Sequence, residues 1–201
     1  MYLITHSLLS AWLYAMQDNP YADSTTEKDY YQDFLRILRK EPGEQTEAMQ
    51  TGIEFENLVT DIVNGDGDTE HKWYEAACKV ASAIKGGWLQ YKAKKEITVS
   101  GIKILLYGRL DVLKAGTIID VKFSKSYDRG KYIDSTQHPA YMELIPEAGE
   151  FTYIVSNGSE VWTETYRRDE TPDIIPIIEA FLAYLQENDL WEVFTSFWAA
   201  R

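Results

Sequence analysis

Between Lys94 and Lys125 the apolar residues recur at every second position: KKEITVSGIKILLYGRLDVLKAGTIIDVKFSK. Period two sustained over this length is a strand pattern. Ser100-Gly101 and Ala115-Gly116 interrupt it with two-residue turn signals. The segment therefore predicts three strands joined by tight hairpins. Around it the period is 3.6. A helix is expected over Glu27–Lys40, with Tyr30, Tyr31, Phe34, Leu35 and Leu38 at helical spacing. A second runs from about Thr46 to Val63, burying Met49, Phe55, Leu58, Val59 and Ile62, and a third from about Lys72 to Ala83. The opening MYLITHSLLSAWLYAM reads as an amphipathic helix, and a turn-rich loop over Asp18–Lys28 follows it. A polar stretch, Ser126–Asp134, leads to a short helix ending at Leu144. Phe151–Val155 and Val161–Tyr166 form a hairpin around Asn157-Gly158. Thr171 caps a last helix with Pro172 at its first position, and its apolar stripe is Ile174, Ile178, Phe181 and Leu185. This order predicts one mixed α/β (α+β) domain over 1–201. A central mixed sheet flanked by helices forms the core at about 46–166, with N-terminal helices in 1–45 and C-terminal helices in 171–201.

The chain has one cysteine, Cys78, so an internal disulfide and a cysteine-ligated metal cluster are both excluded. No apolar run suits a bilayer span and no signal-peptide pattern opens the chain, so a cytoplasmic, non-membrane protein is expected. The formal net charge is -12, but it is unevenly distributed. Residues 71–131 hold 13 of the 20 Lys/Arg and 5 of the 32 Asp/Glu, a local +8 against −20 elsewhere. Such segregation either solvates helix faces or prepares a short-range basic surface on an acidic protein.

Two acids stand in the strand segment. With Ala115-Gly116 as the turn, Asp111 faces Asp120 and Arg109 faces Lys122. Alternation then puts Asp111, Asp120 and Lys122 on one face, with Leu110, Val112, Ile119, Val121 and Phe123 on the other. Directly opposed side chains have Cβ atoms about 4.5–5.5 Å apart, and like charges there repel. Burial adds a desolvation cost. Two readings remain open. In one, Asp111 and Asp120 are neutralised by Arg109 and Lys122 in a cross-strand lattice. Alternatively, they hold a cation that takes oxygen ligands, Mg²⁺ or Mn²⁺. In that case Lys122 stands beside the metal, to orient or deprotonate a water or to stabilise charge on a phosphate.

The order Gly108-x-x-Asp111, turn, Asp120-x-Lys122 resembles the core of the PD-(D/E)XK nucleases. Downstream, Gln137-His138-Pro139-Ala140-Tyr141 is similar to the Gln-x-x-x-Tyr motif of the RecB-type and phage exonuclease branch. Upstream, Gly52-Ile53-Glu54-Phe55-Glu56 resembles that branch's helix glycine followed four residues later by a metal ligand. Together the motifs cover Gly52–Tyr141. The resemblance implies a DNA nuclease, an exonuclease above all, with a restriction-endonuclease-like core. It implies Mg²⁺ or Mn²⁺ held by Glu56, Asp111, Asp120 and the Val121 carbonyl, with Lys122 as the catalytic cation or base. Gln137 would position Lys122 or the attacking water, and Tyr141 would touch the DNA backbone. Alternatives are an endonuclease of the same fold and a non-catalytic DNA-binding or interaction domain. Members with an iron–sulfur cluster carry four cysteines, so no cluster is expected here.

On the residues themselves, Gly52 would let its helix approach the sheet. Glu56 would lie at the edge of the buried face, with Glu54 pointing elsewhere. Thr136 would cap the Gln137 helix. Arg109, Lys125, Arg129 and Lys131, with Lys103 and Lys122, are expected to rim one DNA-binding cleft. Trp88, Tyr91, Lys92, Lys94 and Lys95 mix rings and cations as single-strand binders do, or simply form an amphipathic strand. His6, His71 and His138 lack ligand spacing. By analogy the partners would be DNA and a single-strand-annealing protein, and a homo-oligomer is compatible with the resemblance.

Overall fold

The computed structural model describes residues 1–17 and 29–200; the loop expected at 18–28 lies outside the described residues. Strand β1 (Tyr2–Ile4) is followed by α1 (His6–Met16), α2 (Tyr30–Leu38), α3 (Glu47–Asn64) and α4 (Tyr74–Ile84). Then come β2 (Trp88–Val99), β3 (Ile102–Lys114), β4 (Thr117–Phe123), α5 (Gln137–Leu144), β5 (Glu150–Ser156) and β6 (Val161–Arg167). A 3-10 turn, Arg168–Glu170, leads to α6 (Ile175–Glu187) and α7 (Trp191–Phe197).

The six strands form one mixed sheet that does not close into a barrel. β3 is its spine. It pairs antiparallel with β2 along nearly its whole length, parallel with β1 at one end and antiparallel with β4 at the other. β4 and β5 run parallel, as the α5 crossover requires, and β6 returns antiparallel to β5. Both predicted tight turns form with positive φ at each central residue, Ser100 and Gly101, Ala115 and Gly116, as a type I′ hairpin needs.

Each face of the sheet carries a core. On one face Leu8, Phe34, Tyr141, Phe151, Phe181 and Phe194 join α1, α2, α5, α6 and α7. On the other, α3 and α4 place Phe55, Leu58, Val59, Ala77 and Val80 against Val112, Ile119, Val121 and Ile154. The stripe Ile174, Ile178, Phe181 and Leu185 is fully buried, as its spacing predicts.

Several boundaries differ from expectation for local reasons. The opening is not all helix: Tyr2–Ile4 pairs with β3, and Thr5, extended and capping Leu8 N–H, delays the helix to His6. α2 starts at Tyr30 because Asp29 caps Gln32 N–H. Thr171 does not cap α6. It closes the 3-10 turn, while Asp173 accepts from Ile175 N–H and the helix starts there. Met49 is exposed, not core. Thr136 occupies the cap position of α5 but makes no capping bond; its hydroxyl donates to the His6 carbonyl instead. No described helix is long and apolar enough to cross a membrane.

Candidate active site

The β3–β4 ladder runs in the predicted register, Lys114↔Thr117, Leu113↔Ile118, Val112↔Ile119, and stops one step short of Asp111 and Asp120. There the strands part. The Asp111 carboxylate fills the gap: its Oδ2 accepts from the Val121 backbone N–H at 2.9 Å, replacing a carbonyl of the ladder. Val121 contributes its N–H to this contact, and its carbonyl, the atom expected on a metal, takes no part in it.

On its other side β3 is interrupted at the same residue. β2 pairs Leu89↔Val112 and Tyr91↔Leu110 but skips Gln90 opposite Asp111. Gln90 has φ 52°, a left-handed backbone that non-glycine residues seldom adopt. Interruptions of this kind re-aim side chains. Before the break, Ile104, Leu106 and Leu110 face the larger core; after it, Val112 faces the α3–α4 core. The expected common face of Leu110 and Val112 is thus corrected. Asp111 sits at the crossover, in a cleft shared with Glu56, Thr60, Gln90 and Val121.

Asp120 lies on the α5 side and is 3% exposed. Its Oδ1 accepts from Gln137 Nε2 at 2.5 Å. Its Oδ2 lies 2.6 Å from Lys122 Nζ, yet has no partner of hydrogen-bonding geometry. Gln137 thus orients Asp120, the partner of Lys122. Half of the alternative charge lattice exists as the Lys122–Asp120 pair. Arg109 does not pair with Asp111.

Glu56 reaches the same region from α3. Burial and then the Asp120 charge raise its carboxyl, against Lys122 and Arg109. Asp111 is pushed up to about 8 by burial, then by the charges of Asp120 and Glu56. Burial would lower the Lys122 ammonium, but Asp120 and Asp111 leave it raised. Glu54 is not of this set: it accepts from His71 Nε2 at 3.1 Å, on the exposed side of α3. Gly52 gives its helix no close approach, since a Cβ there would meet nothing within 4 Å.

Close approach belongs to Gly108 instead. A Cβ on it would lie 2.5 Å from Tyr141 Cε1 and 2.8 Å from Leu144 Cδ1. α5 rests directly on β3 here, and the Tyr141 hydroxyl donates to the Arg109 carbonyl at 3.1 Å. Tyr141 is 4% exposed. It docks α5, and so Gln137, against the sheet, and has little surface to offer a DNA backbone. Gly108→Ala should therefore push α5 outward and cost about 1–3 kcal/mol, the usual range for overpacking. Denaturant unfolding measures this, and Tyr141→Leu in the same chain should recover part of it.

Sequence reasoning missed three features. Glu164, buried on β6, accepts from Tyr127 OH, Tyr166 OH and the Gly130 and Tyr132 N–H groups. It clasps the loop that joins Lys122 to Gln137. The available clue was Trp162-x-Glu164-x-Tyr166, an acid between two rings on one strand face. Arg168 donates to the carbonyls of Met142, Ile145 and Ala148, satisfying the end of α5. His6 packs edge-on against Tyr141 at 5.2 Å and is lowered to about 4 by burial and the Lys122 charge. No local signal marked either residue. His138 is buried and stacked on Tyr166. Lys125, Arg129 and Lys131 are exposed on the clasped loop, with Lys131 Nζ donating to Ser124 Oγ at 2.7 Å.

The donor set fits a hard divalent cation by its chemistry. Three carboxylates, all oxygen donors, crowd one junction where burial and mutual repulsion raise two of them, with the Lys122 ammonium as the cation already beside Asp120 Oδ2. Among the described residues no three such ligands are already drawn to coordinating distance.

No family model and no curated protein matches the sequence. What fold and site define is a mixed α/β protein with an acid–acid–lysine junction on a splayed strand pair. Among solved structures, the crystal structure of SSO0001 is similar to it, with a TM-score of 0.52 and 13% identity over 94% of this chain and 78% of that chain. At that identity the likeness shows the fold alone.

Proposed function

We propose that this protein is a metal-dependent DNA nuclease that hydrolyses phosphodiester bonds, acting as an exonuclease. The observation that carries the reading is the parting of β3 and β4 at Asp111 and Asp120, which brings two carboxylates and Lys122 together beside Glu56. The Gly108, Asp-x-Lys and Gln-x-x-x-Tyr motifs of the PD-(D/E)XK resemblance support it.

Glu56, Asp111 and Asp120 would hold Mg²⁺ or Mn²⁺, which when bound supplies a polarised water and charge neutralisation at the phosphate. The chain's own groups do the rest. Gln137 fixes one oxygen of Asp120 and leaves the other toward Lys122. Lys122, with its pKa raised by Asp120 and Asp111, is an ammonium in the metal-free site. It is suited to stabilising charge on the scissile phosphate and unsuited to removing a proton near neutral pH. A single-strand-annealing partner rests on analogy with phage recombination enzymes.

End-labelled linear DNA and closed circular DNA, each with Mg²⁺, Mn²⁺ or EDTA, test the proposal. Release of short products from linear DNA alone, in either metal and never in EDTA, is expected. Cutting of the circle would make it an endonuclease. Intact DNA at metal concentrations that calorimetry shows to be saturating would make it a non-catalytic domain.

A further inference from the structure

One face of the sheet is only partly covered. α3 and α4 pack on β4, β5 and the last turn-proximal residues of β3, and stop where the alternation switches at Asp111. Beyond that point the odd residues of β3 and the even residues of β2 share an open surface. Register pairs Lys92 with Arg109, Lys94 with Tyr107, Glu96 with Leu105 and Thr98 with Lys103, so four cations and one acid, Glu96, stand on this face. Lys92, Lys94, Lys103 and Arg109 are exposed and Tyr107 is half-buried.

We propose that this open β2–β3 face is a track for a single DNA strand, leading along Lys103, Tyr107–Lys94 and Arg109–Lys92 into the Asp111–Glu56 cleft. The proposal rests on the nuclease reading for what lies at the track's end, but not for the track itself.

Charge carries the first part of the inference. Lys92 directly opposite Arg109 is a like-charge pair, a destabilising choice on a sheet. The three lysines have no acidic partner among the described residues. Lysines on β2 alone could be read as protection of an edge strand. That reading leaves Lys103 and Arg109 unexplained, because they lie on the interior strand. A polyanion across both strands accounts for all four cations.

Continuity carries the second part. Arg109 is two residues from Asp111, and its charge acts on Glu56. From Lys103 to Arg109 the strand rises about 20 Å, room for several nucleotides of an extended single strand. The surface is built from two strands with no helix to enter a groove, and it presents a tyrosine ring among cations, as single-strand platforms do. Its membership differs from the mixed cluster seen in sequence. Tyr91 packs on the core, Lys95 pairs with Glu143 at 2.6 Å, and Trp88 lies beyond the Gln90 break.

The test is anisotropy of a fluorescent single-stranded 12-mer in EDTA, titrated over salt, with the full-length protein. Lys92→Gln, Lys94→Gln and Lys103→Gln together should lower the log–log salt slope by about two units, at ~0.7 per phosphate contact. Tyr107→Ala should weaken binding about tenfold. Lys92→Glu separates binding from folding: it places an acid opposite Arg109, so it should leave unfolding unchanged or raise its midpoint while weakening the 12-mer. A triple variant with wild-type affinity and slope overturns the track. Loss confined to duplex DNA, with the 12-mer unaffected, overturns the single-strand assignment. If the wild type binds the 12-mer through these residues but never cleaves in Mg²⁺ or Mn²⁺, the track stands and the nuclease reading falls.

Discussion

Asp120→Asn should abolish metal-dependent cleavage, by about 10³-fold or more, and remove most of the Mg²⁺ or Mn²⁺ heat seen by calorimetry. Asp120 is the most buried of the three acids and the one that Gln137 orients. An asparagine that keeps its oxygen on Gln137 Nε2 must turn its amide N–H₂ toward Lys122 Nζ, donor against donor. A site of three carboxylates then becomes one of two, with a cation facing it unpaired. Dehydrating Mg²⁺ needs the charge that has been lost. Near-wild-type cleavage by this variant would end the carboxylate-centred reading.

The same substitution has a pH signature in the metal-free protein. Asp111 is raised to about 8 by burial, Asp120 and Glu56. A raised carboxyl binds its proton in the fold while the unfolded chain has already released it. Metal-free stability should therefore fall as pH rises from about 4 to about 8, and level off above. Without the Asp120 charge, Asp111 ionises sooner and that fall should shrink. Thermal unfolding in EDTA across this range measures it. Stability that rises over the window would contradict the buried, mutually repelling arrangement of Asp111.

Which parts were legible in sequence follows from how local each cause is. Turn chemistry is local, so Ser100-Gly101 and Ala115-Gly116 set both hairpins and hence the register that aligns residues 111 and 120. The i, i+4 spacing of Gln137 and Tyr141 correctly placed both on one helix. Its consequences were not local. That Tyr141 is buried depends on α5 lying against Gly108, and that Gln137 meets Asp120 depends on the α5 crossover. Alternation failed at one residue, because a left-handed Gln90 has no signature in a strand-like pattern. The role of Glu164 was only hinted at by its flanking rings, for a related reason. Three of its four donors come from a loop more than thirty residues away, and nothing near it in sequence announces those three.

Lys122→Ala should lower turnover by about 10²-fold, the size of a lost electrostatic contact in a transition state, while metal affinity is kept or slightly improved. The sign follows from charge. Lys122 competes with any cation for Asp120 Oδ2, 2.6 Å from its ammonium, so removing it frees that oxygen. Stability should drop by about 1–3 kcal/mol, since Asp120 keeps only Gln137 as partner in a buried position. The figure lies below that of a fully buried pair, because the Lys122 side chain is 33% exposed. Lys122→Arg should keep the charge and recover part of the turnover. With Lys122 acting as a charge and not as a base, the wild-type pH–rate profile should show no gain near neutrality from its deprotonation. An activity that climbs with pH and disappears in Lys122→Ala would make the lysine a general base. Metal affinity lost with turnover unchanged would make it a counter-ion that only holds Asp120 in the fold.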